Sequence, residues 1–363
     1  MILKTNINLE IKEVDKCYYK EHLEDFLPEN IIDIHTHVYI KEITGTAAIQ
    51  DKRVVSWPSL VAEDNPIEDL IQSYSMMFPG KKVVPCIFPW VEPLNKIDEL
   101  NEYTRASASS WHLPVLFLDN PDYSMEELEQ KLVDGRYNGI KVYLSFAPSY
   151  IPRDEVRIFD FLPHEHLAVL DKLGLMLMLH IPRSGRLKDS VNLAQILEIE
   201  QRYPNVKVVL AHVGRAYCIE DIGDAFEILG KTRNLMFDCS ANTNPEVFRQ
   251  ALESLGPRRM IFGSDLPITR MRMRRICENG TYINLIPKGL YGDVSGDKNM
   301  RELQEEEGGK LSFFLYEEMK AMKEAVNELG LNKSEVEDIF YNNAKRILES
   351  TGFSMADAGR ING

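Results

Sequence analysis

Eight short runs of aliphatic and β-branched residues recur along this chain, over 31–38, 82–89, 115–120, 139–145, 173–181, 206–213, 235–241 and 260–266. Their starts lie on average about 33 residues apart, near the ~30 residues that a strand and its crossover helix occupy. Most runs are nearly continuous in apolar residues rather than alternating. Strands buried on both faces have this pattern, as in a parallel sheet covered by helices.

Helix start signals lie between the runs. Ser124-x-x-Glu127 and Ser334-x-x-Glu337 read as capping boxes. Asn244-Pro245 places a cap residue before a proline at the first helical position, and His164 follows Pro163 in the same way. Eight strands alternating with helices make a closed (β/α)₈ barrel, the TIM-barrel fold, the simplest count. A doubly wound open sheet is the alternative, since strand pattern alone does not separate the two. The expected layout is one domain over 1–363: an N-terminal extension, barrel strands over 31–267, a long loop over 268–310 and C-terminal helices over 311–350. A second long stretch runs over 39–65. Both stretches follow strand C-termini, where barrel enzymes build their active face.

Charge and cysteine usage exclude several classes. The formal net charge is −14 with no basic run, which argues against nucleic acid or an anionic membrane as partner. No apolar stretch approaches the ~20 residues needed to span a bilayer. The first residues show no apolar signal segment. Five dispersed cysteines, Cys17, Cys86, Cys218, Cys239 and Cys277, read as free thiols of a reducing compartment, so the cytoplasm is the expected location.

The first run ends in Asp33-Ile34-His35-Thr36-His37. Residues i and i+2 of a strand share a face, so His35 and His37 project together, and neutral imidazole is a good ligand for zinc and similar ions. Taken alone, HxH also fits two histidines in a turn. Three further runs end in chemistry: His180 closes the fifth, His212 the sixth and Asp265 the eighth. Titratable groups at several strand ends would meet on one rim of a barrel.

This constellation resembles the amidohydrolase superfamily, in particular its branch of ACMSD-like decarboxylases, lactonases and related hydrolases. The resemblance runs from Leu27-Pro28-Glu29-Asn30 to Asn343-Ala344-x-Arg346-Ile347-Leu348, nearly the whole chain. It implies His35, His37, His180 and Asp265 as metal ligands, Asp265 also as the acceptor of a proton from the attacking water. It implies His212 as a second-metal ligand or as the group that polarises the substrate. Lys141, in the fourth run, would bridge two ions if carboxylated, as in two-metal members, and would bridge nothing in one-metal members. The one-ion form is favoured here, with zinc as the expected metal, although manganese and iron suit such ligands too.

Arginines follow the strand-end histidines. Arg183 and Arg215, with Tyr143, are candidates for binding a small anionic, carboxylate-bearing substrate through bidentate forks. Arg270, Arg272, Arg274 and Arg275 read instead as a solvated loop. Asp238 could touch substrate or be a satisfied polar residue; Trp57, Trp90 and Tyr143 could line a pocket or pack the core. His164 and His166 start a helix and point apart, so they make poor joint ligands. Cys218 reads as a buried structural thiol. The expected activity is metal-assisted hydrolysis of an amide or lactone. Alternatives are a metal-dependent non-oxidative decarboxylase, a metal-free lactonase and a barrel that binds metal or ligand without turnover. A homodimer is expected.

Overall fold

A computed structural model describes residues 7, 9–44, 61–90 and 96–362; Trp57 and the middle of the 39–65 stretch fall outside these. All eight runs carry a strand: β1 (Asn30–His37), β2 (Lys82–Phe88), β3 (Leu116–Leu118), β4 (Gly139–Val142), β5 (Met176–Leu179), β6 (Lys207–Leu210), β7 (Met236–Asp238) and β8 (Met260–Ile261). Strands β1 and β2 pair in parallel, and β3 to β8 form a parallel sheet in sequence order. Two bridges join these sheets into a ring, Ile87 with Val115 and Thr36 with Leu266. Across the second seam Ile34 N–H donates to Phe262, His37 N–H to Leu266 and Asp265 N–H to His35. The ring closes, so the chain is a (β/α)₈ barrel and not an open sheet.

The strands are shorter than the apolar runs because the runs also include helix ends and strand-to-loop turns. Leu173, for example, closes a helix capped by Gly174 in the left-handed conformation. A principal helix follows each strand: α1 (Ile67–Met77), α2 (Ile97–Trp111), α3 (Met125–Gly135), α4 (His164–Leu173), α5 (Ser190–Arg202), α6 (Ala225–Leu229), α7 (Pro245–Leu255) and α8 (Phe314–Leu329). Ser124 caps α3 by accepting Glu127 N–H, and Asn244 caps α7 with Pro245 at its first position. The late capping box begins two residues earlier than Ser334, with Asn332 as cap and Glu335 reciprocating. Pro163 is itself the cap of α4 rather than its first residue. Aliphatic side chains of the strands and the inner helix faces form one continuous core. Residue Ile361 of a short terminal strand, β12 (Ile361–Asn362), pairs antiparallel with Val83 of β2.

The segment after β8 is not a loop. It folds into a three-stranded sheet of β9 (Arg274–Glu278), β10 (Thr281–Pro287) and β11 (Met300–Leu303). Glu278 pairs with Thr281 across a two-residue turn, Asn279-Gly280, with both residues at positive φ. Asn-Gly is the preferred pair for that turn because both positions need left-handed backbone. Beneath this sheet Met271, Met273, Ile286, Met300 and Phe314 form a second apolar cluster.

The arginine segment is likewise not solvated. Arg272 is buried in a double hydrogen bond with Asp15 of the N-terminal segment, Arg270 bonds Asn65, and Arg275 is enclosed by aromatic rings; Arg274 alone is exposed, paired with Glu317. The expectation of five free thiols is also corrected: Cys218 and Cys277 are joined in a disulfide, leaving Cys17, Cys86 and Cys239 free. The partners lie 59 residues apart in sequence, so no spacing could announce them. Among the described residues no helix is long and apolar enough to cross a membrane.

Candidate metal centre

Strand β1 delivers two imidazoles to the ring interior. Its register against β2 slips between Asp33 and Thr36, the stretch that carries His35. Both His35 and His37 are buried. Gly263 permits the close approach of the eighth run: a Cβ there would sit 2.8 Å from the His35 Cβ. Asp265 then turns inward at φ 57°. A non-glycine residue in this region carries strain of order 1–3 kcal/mol, which surrounding structure must hold.

The hydrogen bonds fix which nitrogen of each ring faces the centre. His35 Nδ1 donates to Asp238 Oδ2 at 2.9 Å and His37 Nδ1 to the Pro89 carbonyl at 3.2 Å. Each Nε2 is therefore a lone-pair acceptor, and both face Asp265 Oδ1, at 3.5 and 3.2 Å. Burial keeps the rings neutral; it pushes His35 down to about 3 and lowers His37. Burial would raise Asp265, but hydrogen bonding and the surrounding imidazoles outweigh it and hold the carboxylate down to about 2. Two imidazole nitrogens and a carboxylate oxygen converging in this way repel one another unless a proton or a cation sits among them. Two neutral imidazoles and a carboxylate are a donor set for a divalent transition metal, and His35, His37 and Asp265 lie close enough to hold one.

The other strand-end histidines continue the row. Ring centroids lie 5.4 Å apart for His37 and His35, 4.9 Å for His35 and His212, and 5.3 Å for His212 and His180. His180 stands outside the close set of His35, His37 and Asp265. Its Nδ1 is nonetheless buried without a hydrogen-bond partner, and burial together with the Arg215 charge lowers its pKa well below the usual value. That orphaned nitrogen leaves His180 a donor not engaged elsewhere. His212 opens a left-handed turn through Arg215, with φ between 50° and 61° at four successive residues. Its N–H donates to Asp238 Oδ1, and its Nδ1 lies 2.9 Å from Ser240 Oγ.

Asp238 therefore ties the two histidines together. One oxygen accepts from His35 Nδ1; the other accepts from the His212 and Ser240 backbone and from the Ser240 hydroxyl. Asp238, His35 and His212 also lie close together, and the bonds of both Asp238 oxygens make this cluster an orienting network for the two rings. Asp238 is the last residue of β7, but the apolar run there continues to residue 241 and so hid that strand end in the sequence. Ser240 carried no signal either.

Lys141, from β4, is buried in the same enclosure, its ammonium 5.2 Å from the Phe88 ring and 5.0 Å from that of Tyr143. Burial lowers it to about 8, against the raising charges of Asp238 and Asp265. Tyr143 Oη lies 3.5 Å from His37 Nδ1, and Phe88 and Trp90 stand edge-on to the His37 ring at 4.8 and 4.7 Å. Tyr143 and Trp90 thus wall the centre. Arg215 Nη1 donates to the carbonyls of Ile181, Pro182 and Arg183, while Arg183 pairs with Asp189 at the start of α5. His164 and His166 do not act together. His164 bonds Tyr203, whereas His166 is buried between Asp119 and the Tyr123 carbonyl.

The amidohydrolase family model matches residues 32–349. Among solved structures, a dihydroxybenzoic acid decarboxylase from Polaromonas sp. JS666 with bound manganese and the inhibitor 2-nitroresorcinol has a TM-score of 0.53 at 12% identity, over 89% of this chain and 97% of its own. A probable 2-pyrone-4,6-dicarboxylic acid hydrolase from Acinetobacter baumannii with citric acid bound has a TM-score of 0.52 at 16% identity, over 88% and 99%. An amidohydrolase from Burkholderia multivorans with bound zinc has a TM-score of 0.53 at 14% identity, over 88% and 99%. At these identities the likeness is one of fold. No curated protein matches this chain.

Proposed function

This chain belongs to the amidohydrolase family, and we propose that it is a metal-dependent hydrolase that cleaves a C–N or C–O bond, amide or lactone, of a small carboxylate-bearing substrate. The observation that carries the reading is the convergence of the His35 and His37 Nε2 atoms on Asp265 Oδ1 inside the strand ring. One divalent ion, zinc first among the candidates, would be held by His35, His37, Asp265 and His180, and Lys141 then stays a free amine. When bound, such an ion supplies Lewis acidity for hydrolysis near neutral pH.

The protein's own groups divide the remaining work. Asp265, ionised by its surroundings, accepts the proton of the attacking water. His212 gives its Nδ1 hydrogen to Ser240 Oγ, whose own hydrogen goes to Asp238. That chain fixes the tautomer and leaves Nε2 as the acceptor, which takes on the proton that Asp265 gained from the water and passes it to the departing oxygen or nitrogen. Arg215, beside His180, offers charge to a substrate carboxylate. Arg183 works through its pair with Asp189, and Tyr143 bounds the pocket. Decarboxylation of an aromatic acid is the second reading. The aromatic wall of Phe88, Trp90 and Tyr143 around His37 favours it, as does the decarboxylase activity named for the Polaromonas neighbour.

The test is a panel of lactones, amides and aromatic acids offered to the zinc-loaded and manganese-loaded protein. Base uptake and carbon dioxide release are recorded side by side. Base uptake that Asp265→Asn lowers by roughly 10²–10⁴-fold supports hydrolysis. Carbon dioxide without base uptake establishes the decarboxylase reading instead. Purified protein in which His35→Ala retains as much metal as the parent chain would sink both.

A further inference from the structure

The hairpin after β8 brings a cation to the barrel mouth. Arg275 stands on β9, with its Nε donating to Asn284 Oδ1 and its Nη1 to the Ala241 carbonyl. Its guanidinium lies 4.4 Å from the Tyr217 ring centroid, 4.6 Å from Tyr282 and 4.7 Å from Phe314. Arg215, two residues before Tyr217, is held by three carbonyls. Carbonyls and ring faces orient a guanidinium but leave its charge uncancelled. Among the described residues no carboxylate lies within ion-pair distance of Arg215 or Arg275. The neighbouring cations are taken: Arg183 by Asp189 and Arg186 by Asp221.

Tyr217 links the two cations, since Arg275 stacks on its ring and Arg215 precedes it by two residues. Their placement is reinforced covalently. Cys277 lies two residues from Arg275 and so on the same face of β9, and its disulfide partner Cys218 adjoins Tyr217. The cross-link pins the strand bearing Arg275 onto the segment bearing Arg215.

We propose that Arg275 and Arg215, arranged around Tyr217, form an oxyanion subsite that holds a carboxylate or phosphate of the substrate away from the bond that reacts. Planar guanidinium forks recognise both anions in bidentate fashion. The subsite rests on the hydrolase reading only in assigning that anion to a substrate.

Calorimetric titration of the full chain with malonate and with inorganic phosphate tests it. One or both should bind saturably, the tighter of the two identifying the preferred oxyanion. The dissociation constant should rise tenfold or more in Arg275→Met and in Arg215→Met. It should rise less in Arg275→Lys and not at all in Arg301→Met, an exposed cation of the same sheet paired with Glu278. Binding should survive in His35→Ala, which separates the subsite from the metal centre. Absence of binding to the parent chain, equal binding by Arg275→Met, or loss in His35→Ala would each overturn it. Intact anion binding with no turnover of any panel compound would sink the hydrolase reading and leave the subsite standing.

Discussion

A single carboxylate, Asp238, sets the chemistry of two imidazoles. Because it accepts from His35 Nδ1, it leaves His35 Nε2 as the lone-pair nitrogen facing Asp265. Carboxylates in this position orient a ligand histidine and raise its basicity. Asp238→Asn removes that preference while keeping the volume, and metal affinity is expected to fall roughly 10–100-fold. A competition titration against a chromophoric chelator measures it, and an unchanged affinity would refute the orienting role. His166 is the pH-sensitive counterpart outside the centre. Burial disfavours its charged form, but the hydrogen bond and charge of Asp119, 2.8 Å away, outweigh it and raise its pKa. A raised folded-state pKa means that the folded chain binds the proton more tightly. The stabilisation is complete below the unfolded value near 6.5 and is lost as pH rises through the folded value. In urea unfolding, His166→Gln should therefore cost more at pH 6 than at pH 9, with about 1.5–3 kcal/mol expected for a charged hydrogen bond at the lower pH. An equal cost at both values would show that His166 is neutral throughout.

Among the elements, the hairpin of β9 and β10 departs furthest from the expected layout. A long loop was expected over 268–310, because that stretch follows the last apolar run. The turn was nevertheless written locally in Asn279-Gly280, flanked by Arg275-Ile276-Cys277 and Tyr282-Ile283-Asn284. What no local pattern contained is the partner of each arginine, since Asp15, Asn65 and Glu317 come from elements far apart in sequence. The Cys218–Cys277 bond closes a loop of 59 residues. Chain-entropy reasoning gives such a cross-link about 4 kcal/mol of stabilisation. Cys277→Ser should lower the unfolding free energy by up to that amount and free the hairpin first. Hydrogen exchange should show the loss of protection in β9 and β10 ahead of β3 to β8. Uniform loss across the barrel would argue that the bond serves the whole ring instead.

At the scale of the molecule, the centre sits on the seam where the ring closes. His35 and His37 belong to the first strand and Asp265 to the end of the eighth run, and the backbone bond from Asp265 to His35 crosses the same seam. An ion held there would clamp the barrel shut. Stripping it with a chelator should lower the melting midpoint in scanning calorimetry, and zinc should restore it. With free metal at a hundred times the dissociation constant, the expected stabilisation is about 2.7 kcal/mol. A midpoint indifferent to chelation and to added zinc would place no ion on the seam.

The sequence by itself determined the eight strand-and-helix units and the strand-end positions of their chemistry; closure of the ring came from the seam bridges of the folded chain. Buried parallel strands need continuous apolar runs, and those runs are local, countable and regularly spaced. The same logic put His35, His37, His180, His212 and Asp265 at run ends, because a strand stops being apolar where it leaves the core. Only the tertiary structure decided how these groups divide. It drew His35, His37 and Asp265 together, left His180 outside that close set, and made Asp238 a hub for His35 and His212. It also gave Arg183 a carboxylate partner, left Arg215 and Arg275 without one among the described residues, and joined two cysteines. These outcomes depend on the register of distant strands and on the path of the intervening loops. Both are set by packing across the whole ring, which no short window of sequence encodes.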